Sequence, residues 1–199
     1  MFVADKAGCR FGASLRIHSG YAGLQLACEK REIGLEIGDS ELTISAVSVW
    51  DQTLNGKPRV GARAHRSRRT SDEDIRRFSE ITGDHNPLHY DRKLAEASIF
   101  GRIIVQGGVT SGLLNAVVAE DLPGPGTVFL GVNWRFIRAV GVGELITAEV
   151  EITSVREDKP ICELITKVCA EDGTACLSGT ATVYVTPLRI TKIYVGSEE

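Results

Sequence analysis

The stretch Val109-Thr110-Ser111-Gly112-Leu113-Leu114-Asn115-Ala116-Val117-Val118-Ala119-Glu120 carries apolar side chains at Val109, Leu113, Leu114, Ala116, Val117, Val118 and Ala119. Wound as a helix, these positions cover nearly every side, and a helix that is apolar all round has to be covered all round. Leu122-Pro123-Gly124-Pro125-Gly126 ends it. The strands downstream of that turn supply the cover. Residues 127–137 alternate, with Val128, Leu130, Val132, Trp134 and Phe136 on one face. In residues 144–155, Ile146, Ala148, Val150 and Ile152 share a face opposite Thr147, Glu149, Glu151 and Thr153. Residues 161–170 and 175–185 are two further strands, the last aligning Leu177, Ala181, Val183 and Val185. Turns at Glu157-Asp158-Lys159-Pro160 and Asp172-Gly173 make neighbours antiparallel. One-sided antiparallel strands need something to cover. The economical answer is an α+β fold, a curved antiparallel sheet wrapped around a buried central helix. Read as a two-residue hairpin, Asp172-Gly173 sets Cys169 opposite Cys176, as two reduced thiols.

Upstream, Thr70-Ser71-Asp72-Glu73 reads as a capping box, with Thr70 as the cap and Glu73 as its carboxylate. The helix it opens is amphipathic, with Ile75, Phe78 and Thr82 on one side and Arg76, Arg77 and Glu80 on the other. Gly83 sits where a helix end takes a left-handed residue. Pro87 pushes Asn86 out of helical geometry, and Asp91 caps a short helix over residues 91–98. Asp84 and His89 are therefore held at a fixed offset on a stiff loop between helices. The basic run His65-Arg66-Ser67-Arg68-Arg69 reads either as a charged, protected edge strand or as a contact for the phosphates of a nucleotide-bearing thioester.

Residues 1–57 read as a partly ordered extension of unknown function, and residues 58–199 as the domain. Within the extension, Leu42 to Val49 is a candidate strand after a turn at Leu35 to Asp39, and His18 is a surface residue. The chain has 199 residues, 43% hydrophobic and 25% charged, with a formal net charge of -3. That balance provides no basic field for nucleic acid. No stretch has the length and apolarity of a membrane span, and the start of the chain lacks a basic-then-apolar signal pattern. The five cysteines, Cys9, Cys28, Cys162, Cys169 and Cys176, are odd in number and form no CxxC. This argues against a disulfide framework or a zinc site, and the expected location is cytoplasmic.

Adding water to an activated double bond requires a base for the water, a proton for the neighbouring carbon, and stabilisation of charge on the carbonyl oxygen. Asp84 and His89 can share the first two tasks by gripping one water. The backbone N–H groups of Gly107 and Gly108, at the start of the central helix, can perform the third: glycine allows close approach and the helix N-terminus favours negative charge. A metal reading of Asp84, His85, His89 and Asp91 follows no recognised ligand spacing, so none is assigned. Ser111 lies outside any GxSxG and is read as a helix-packing residue.

The run Phe78-Ser79-Glu80-Ile81-Thr82-Gly83-Asp84-His85-Asn86-Pro87-Leu88-His89-Tyr90-Asp91, followed by Phe100-Gly101-Arg102-Ile103-Ile104-Val105-Gln106-Gly107, resembles the signature of the MaoC-like (R)-specific enoyl-CoA hydratases and 3-hydroxyacyl thioester dehydratases. The similarity runs from about Val60 to about Val185. It implies a homodimeric hotdog fold with no cofactor and no metal. It also implies Asp84 and His89 as the catalytic pair, Asn86 as the amide supporting the loop, and Gly107 as the N–H that binds the thioester oxygen. The substrate implied is a trans-2-enoyl thioester of coenzyme A or acyl carrier protein, hydrated to the (R)-3-hydroxyacyl thioester or formed in reverse. Asn115 lies near the acyl pocket by the same similarity, and an amide there suits a short acyl chain. The family commonly has His-Gly where this chain has Gln106-Gly107; Gln106 keeps hydrogen-bonding capacity but cannot ionise. Gly108 after it is small enough to loosen the pocket mouth. A hotdog thioesterase and a non-catalytic acyl-thioester-binding subunit are the competing readings.

Overall fold

The computed structural model describes residues 26–28, 31–37 and 42–46 as backbone, and residues 48–188 with their side chains. The chain divides into two compact units, residues 1–47 and 48–199. In the first, β1 (Leu26–Cys28), β2 (Arg31–Ile37) and β3 (Leu42–Ala46) form an antiparallel sheet in chain order, with Leu26 opposite Ile33 and Ile37 opposite Leu42. Leu35 to Ile37, expected as a turn, is thus the end of a strand, and the connection falls after it. His18 and Cys9 lie outside the described residues. Ser48 and Val49, expected as a strand end, are not in a strand, and residues 48–57, assigned from the sequence to the extension, belong to the second unit. Trp50 is 1% exposed in its core and donates from Nε1 to the Arg156 carbonyl at 2.8 Å.

The second unit is built on β4 (Arg63–Arg69), β5 (Thr127–Phe136), β6 (Leu145–Val155), β7 (Ile161–Ala170) and β8 (Ala175–Val185). All pairings are antiparallel, in the order β4-β6-β7-β8-β5. α4 (Gly107–Ala116) packs on the inner face, where Leu114, Val117 and Val118 join Ile146, Ala148, Val150, Ile152, Leu164, Val168, Leu177 and Val183 in one core. The alternation in β6 is realised as read, since its even-numbered positions from 146 to 152 are buried.

Three expectations are corrected. First, α4 is not covered all round. Thr110 and Leu114 are buried, Asn115 is exposed, and Gly108 and Gly112 border an open groove. The helix also widens into a π turn at Val117–Asp121, closed by Leu122 N–H donating to the Val117 carbonyl. Gly108 and Gly112 remove side-chain bulk from that side, and Val109, Leu113 and Ala116 line the groove beside them.

Second, the five-residue face of β5 is broken. The register shifts between Phe129 and Gly131, so Leu130 is the extra residue of a bulge. Directly opposed residues share a face. Phe129 therefore lies with Val183, and Val132, Trp134 and Phe136 lie with Ala181, Gly179 and Leu177, whereas Val128 lies with Tyr184 on the other side.

Third, Cys169 faces Ala175 rather than Cys176, because the chain turns through four residues after Ala170 and the register shifts at Cys169. Cys162, Cys169 and Cys176 are all free thiols, and burial pushes the Cys162 thiol up to about 12.

Candidate active site

α1 (Asp72–Thr82) begins one residue later than the sequence suggested. Ser71 is the N-cap and Asp74 completes the capping box. Thr70 is taken by the sheet instead: its N–H donates to the Glu144 carbonyl and its hydroxyl to the Gly141 carbonyl at 2.7 Å. Asp74 is buried and also pairs with Arg68. Gly83 ends α1 at φ +75°, which is left-handed geometry. The loop then runs to α2 (Pro87–Tyr90), capped by Asn86, whose side chain accepts from Leu88 N–H at 3.1 Å. Asp91 caps α3 (Arg92–Ala97) by accepting from Leu94 N–H.

Asp84 is fixed at every polar atom but one. Its N–H donates to Thr82 Oγ1 at 3.2 Å, its carbonyl accepts from Ser79 Oγ at 2.6 Å, and Oδ1 accepts from Asn86 N–H at 3.1 Å. Oδ2 faces His89 Nε2 at 3.8 Å. The His89 ring is nearly enclosed, at 9% side-chain exposure, and its Nδ1 lies 2.7 Å from the Ile104 carbonyl. A carbonyl only accepts, so Nδ1 carries a proton, and in the neutral ring Nε2 presents a lone pair toward Asp84. A separation of 3.8 Å is too long for a direct hydrogen bond but allows one water oxygen to bond both groups.

The loop is fastened to the segment that opens α4. Ile104 N–H donates to the Leu88 carbonyl at 3.3 Å, beside the His89–Ile104 bond, and Val105 N–H donates to the Val140 carbonyl at 2.8 Å. Gln106 is the N-cap residue of α4, so Gly107 and Gly108 head the helix with N–H groups that have no intrahelical acceptor. Both positions are crowded by an aromatic ring, Gly108 severely and Gly107 more mildly. A Cβ on Gly107 would stand 3.1 Å from Phe136 Cε1, and one on Gly108 would run into the Phe78 ring. Gly108 receives the Phe78 ring.

Between α1 and α4 lies a groove of about 410 Å³, bordered by Phe78, Ile81, Gly108, Gly112, Leu113 and Asn115. Asp84, His89 and Gly107 do not border it. The structure thus brings Asp84 and His89 together, sets Gly107 three residues after their anchor Ile104, and places Asn115 two helical turns further along. Asn86 supports the loop by capping α2. Gln106 is 1% exposed, and its Nε2 donates to Ser79 Oγ at 3.0 Å and to the Ile75 carbonyl at 3.3 Å.

Sequence reasoning missed Ser79, which accepts from Gln106 Nε2 and donates to the Asp84 carbonyl. The signal was a serine four residues after Ile75 inside the apolar side of α1. Of the set weighed as metal ligands, His85 lies against the Tyr90 ring at 5.8 Å and Asp91 is occupied as a cap. The basic run is engaged internally. Arg66 pairs with Asp121, which raises the guanidinium's pKa and lowers that of the carboxyl, Arg68 pairs with Asp74, and Arg69 donates to the Gly143 carbonyl.

The family described as "MaoC like domain" matches residues 55–172. An (R)-specific enoyl-CoA hydratase of Aeromonas caviae is 38% identical over 124 residues, covering 62% of this chain and 92% of that protein. A 3-hydroxybutyryl-CoA dehydratase of Methylorubrum extorquens is 34% identical over 115 residues, covering 58% and 73%. Among solved structures, the (R)-hydratase from A. caviae involved in PHA biosynthesis superposes with a TM-score of 0.62 at 36% identity, covering 65% of this chain and 98% of that one.

Proposed function

The chain belongs to the MaoC-like domain family, and from that premise we propose that it is a hydro-lyase of hotdog fold. It adds water to trans-2-enoyl thioesters to give (R)-3-hydroxyacyl thioesters, or catalyses the reverse dehydration, in fatty acid metabolism. The observation that carries the reading is the His89 tautomer: Nδ1–H is spent on the Ile104 carbonyl, so Nε2 is free to accept a proton beside Asp84 Oδ2. A water held between the two loses a proton to the pair as its oxygen bonds the β-carbon. The electron pair of the double bond moves toward the thioester carbonyl, and the pair returns a proton to the α-carbon. Negative charge on the thioester oxygen is received by the Gly107 N–H, at the positive end of α4.

The acyl group lies along α4, with Phe78, Gly112 and Asn115 at its side. The carrier is coenzyme A or acyl carrier protein. The protein works as a homodimer or higher homo-oligomer. Support for this comes from β5, an edge strand that leaves Val132 at 50% and Phe136 at 56% exposure on the side of the sheet that carries the core, with Phe136 beside Gly107. Among the described residues no helix is long and apolar enough to cross a membrane. The free thiols support a reducing, cytoplasmic setting.

The test is loss of the enoyl absorbance of crotonyl-CoA. Asp84→Asn and His89→Ala should each reduce turnover by about 10² to 10⁴ without changing the oligomer seen by size exclusion. Turnover near that of the unaltered protein in either variant removes the pair from the mechanism.

A further inference from the structure

The Ser79 hydroxyl is a junction. Gln106 Nε2 donates to it at 3.0 Å, and the Tyr90 hydroxyl donates to it through a short hydrogen bond. Its oxygen stands 2.6 Å from the Asp84 carbonyl and 3.0 Å from that of Ile75. A hydroxyl has two lone pairs and one proton. Two incoming donors occupy the lone pairs, so the proton goes to a carbonyl, and the Asp84 carbonyl is the nearer. The orientation of the Gln106 amide is set by the Ile75 carbonyl, which accepts only and lies 3.3 Å from Nε2. Oε1 is consequently buried without a hydrogen-bond partner in the structure. A buried orphan acceptor destabilises a fold. Here it accompanies a donor that holds the catalytic loop.

We infer, on the premise of the proposed hydration, that Gln106 is a positioning residue rather than a substrate ligand. Through Ser79 it fixes the backbone of Asp84. Through its own main chain it leads directly into Gly107. One side chain therefore sets the offset between the proton-transfer pair and the amide that receives the thioester oxygen. Ser79 is the coupling element and Tyr90 its second brace. Neither glutamine nor serine ionises, so the link keeps its geometry across the working pH range, where an imidazole in the same place changes charge.

Four variants of the full chain test this: Gln106→Met, Ser79→Ala, the two combined, and Gln106→His. The measurements are kcat, KM and their pH profiles with crotonyl-CoA, amide hydrogen exchange over residues 84–90, and melting temperature. Gln106→Met and Ser79→Ala should each lower kcat by about 10- to 100-fold, with KM held within about twofold. The combined variant should be no slower than the slower single one, because both cut the same connection. Exchange at Asp84 to Tyr90 should quicken. Gln106→Met should melt within a few degrees of the unaltered protein, since methionine also removes the orphan oxygen. Gln106→His should keep activity at high pH and, on acidification, lose kcat beyond any loss the unaltered protein shows over the same range. Unchanged kcat in Gln106→Met, losses that multiply in the combined variant, or a loss confined to KM overturns the inference. If the unaltered protein hydrates no enoyl thioester, the functional reading fails, and the exchange rates of residues 84–90 still decide whether the brace exists.

Discussion

Gly108→Ala probes the packing beside the groove proposed to take the acyl group. A methyl group at this position enters the van der Waals envelope of Phe78 Cζ and Cε2 and stands 3.2 Å from Cε1. Carbon atoms rest at about 3.5 to 4.0 Å, so the ring has to retreat by more than about 1 Å. Gly108 is on α4, whose Leu114 is locked into the core at 0% exposure, so the helix does not yield and the ring does. Phe78 borders the groove, and its displacement takes room from the acyl group. Overpacking of this kind costs about 1 to 3 kcal/mol. For a chain of this size that is a fall in Tm of about 2 to 12 °C. The kcat/KM ratio for a C8 over a C4 enoyl-CoA should fall by about tenfold, the scale of one or two lost methylene contacts. Phe78→Leu removes the three clashing ring atoms, so the double variant should recover both Tm and the chain-length ratio. A Gly108→Ala protein with unchanged melting and unchanged chain-length ratio refutes this reasoning. So does a double variant no better than the single one.

Three other outcomes rest on neighbouring contacts. Glu144 is held below its ordinary pKa; burial opposes ionisation, but hydrogen bonds from Arg138 at 2.8 Å and Arg102 at 2.5 Å outweigh it. A depressed carboxylate contributes stability that is present above the unfolded value near 4.5 and is lost as pH falls toward the folded one. Glu144→Gln should therefore flatten the acid limb of Tm against pH below about 4.5 while lowering Tm at pH 7. Trp50 is enclosed by the second unit, so Trp50→Ala should cost about 3 to 5 kcal/mol in denaturant unfolding, and a chain beginning at Asn55 should be less stable than one beginning at Ser48. Val132→Glu places a charge on the uncovered side of β5. On the proposed homo-oligomer, sedimentation should show a shift toward a single protomer, with loss of activity.

Local chemistry was legible without coordinates. Ser71 to Asp74 as a helix start, Gly83 as a left-handed stop, Asn86-Pro87 as a corner and Asp91 as a cap are all decided by residues within four positions of each other. Near-neighbour hydrogen bonding and backbone sterics therefore fix them, with only the one-residue shift from Thr70 to Ser71. That shift came from a distant competitor, the Gly141 and Glu144 carbonyls that claim Thr70. The strands and the antiparallel run β6-β7-β8 were legible for the same reason, since tight turns join them, but the placing of β5 beside β8 and of β4 beside β6 was not. Asp84 and His89 were legible because one loop carries both.

Tertiary structure alone decided the rest. The bulge at Leu130 turns Val128 away from the face that strict alternation would have it share with Val132. The open flank of α4 depends on which residues stand beside Gly108 and Gly112. The tautomer of His89 is set by the Ile104 carbonyl, fifteen positions away, and the role of Gln106 by Ser79, twenty-seven positions away. Periodicity reports which side of an element is apolar. It carries no information about which polar atom across a fold has a lone pair or a proton left to offer, and in this protein those remote pairings fix the positions of His89 and Gln106.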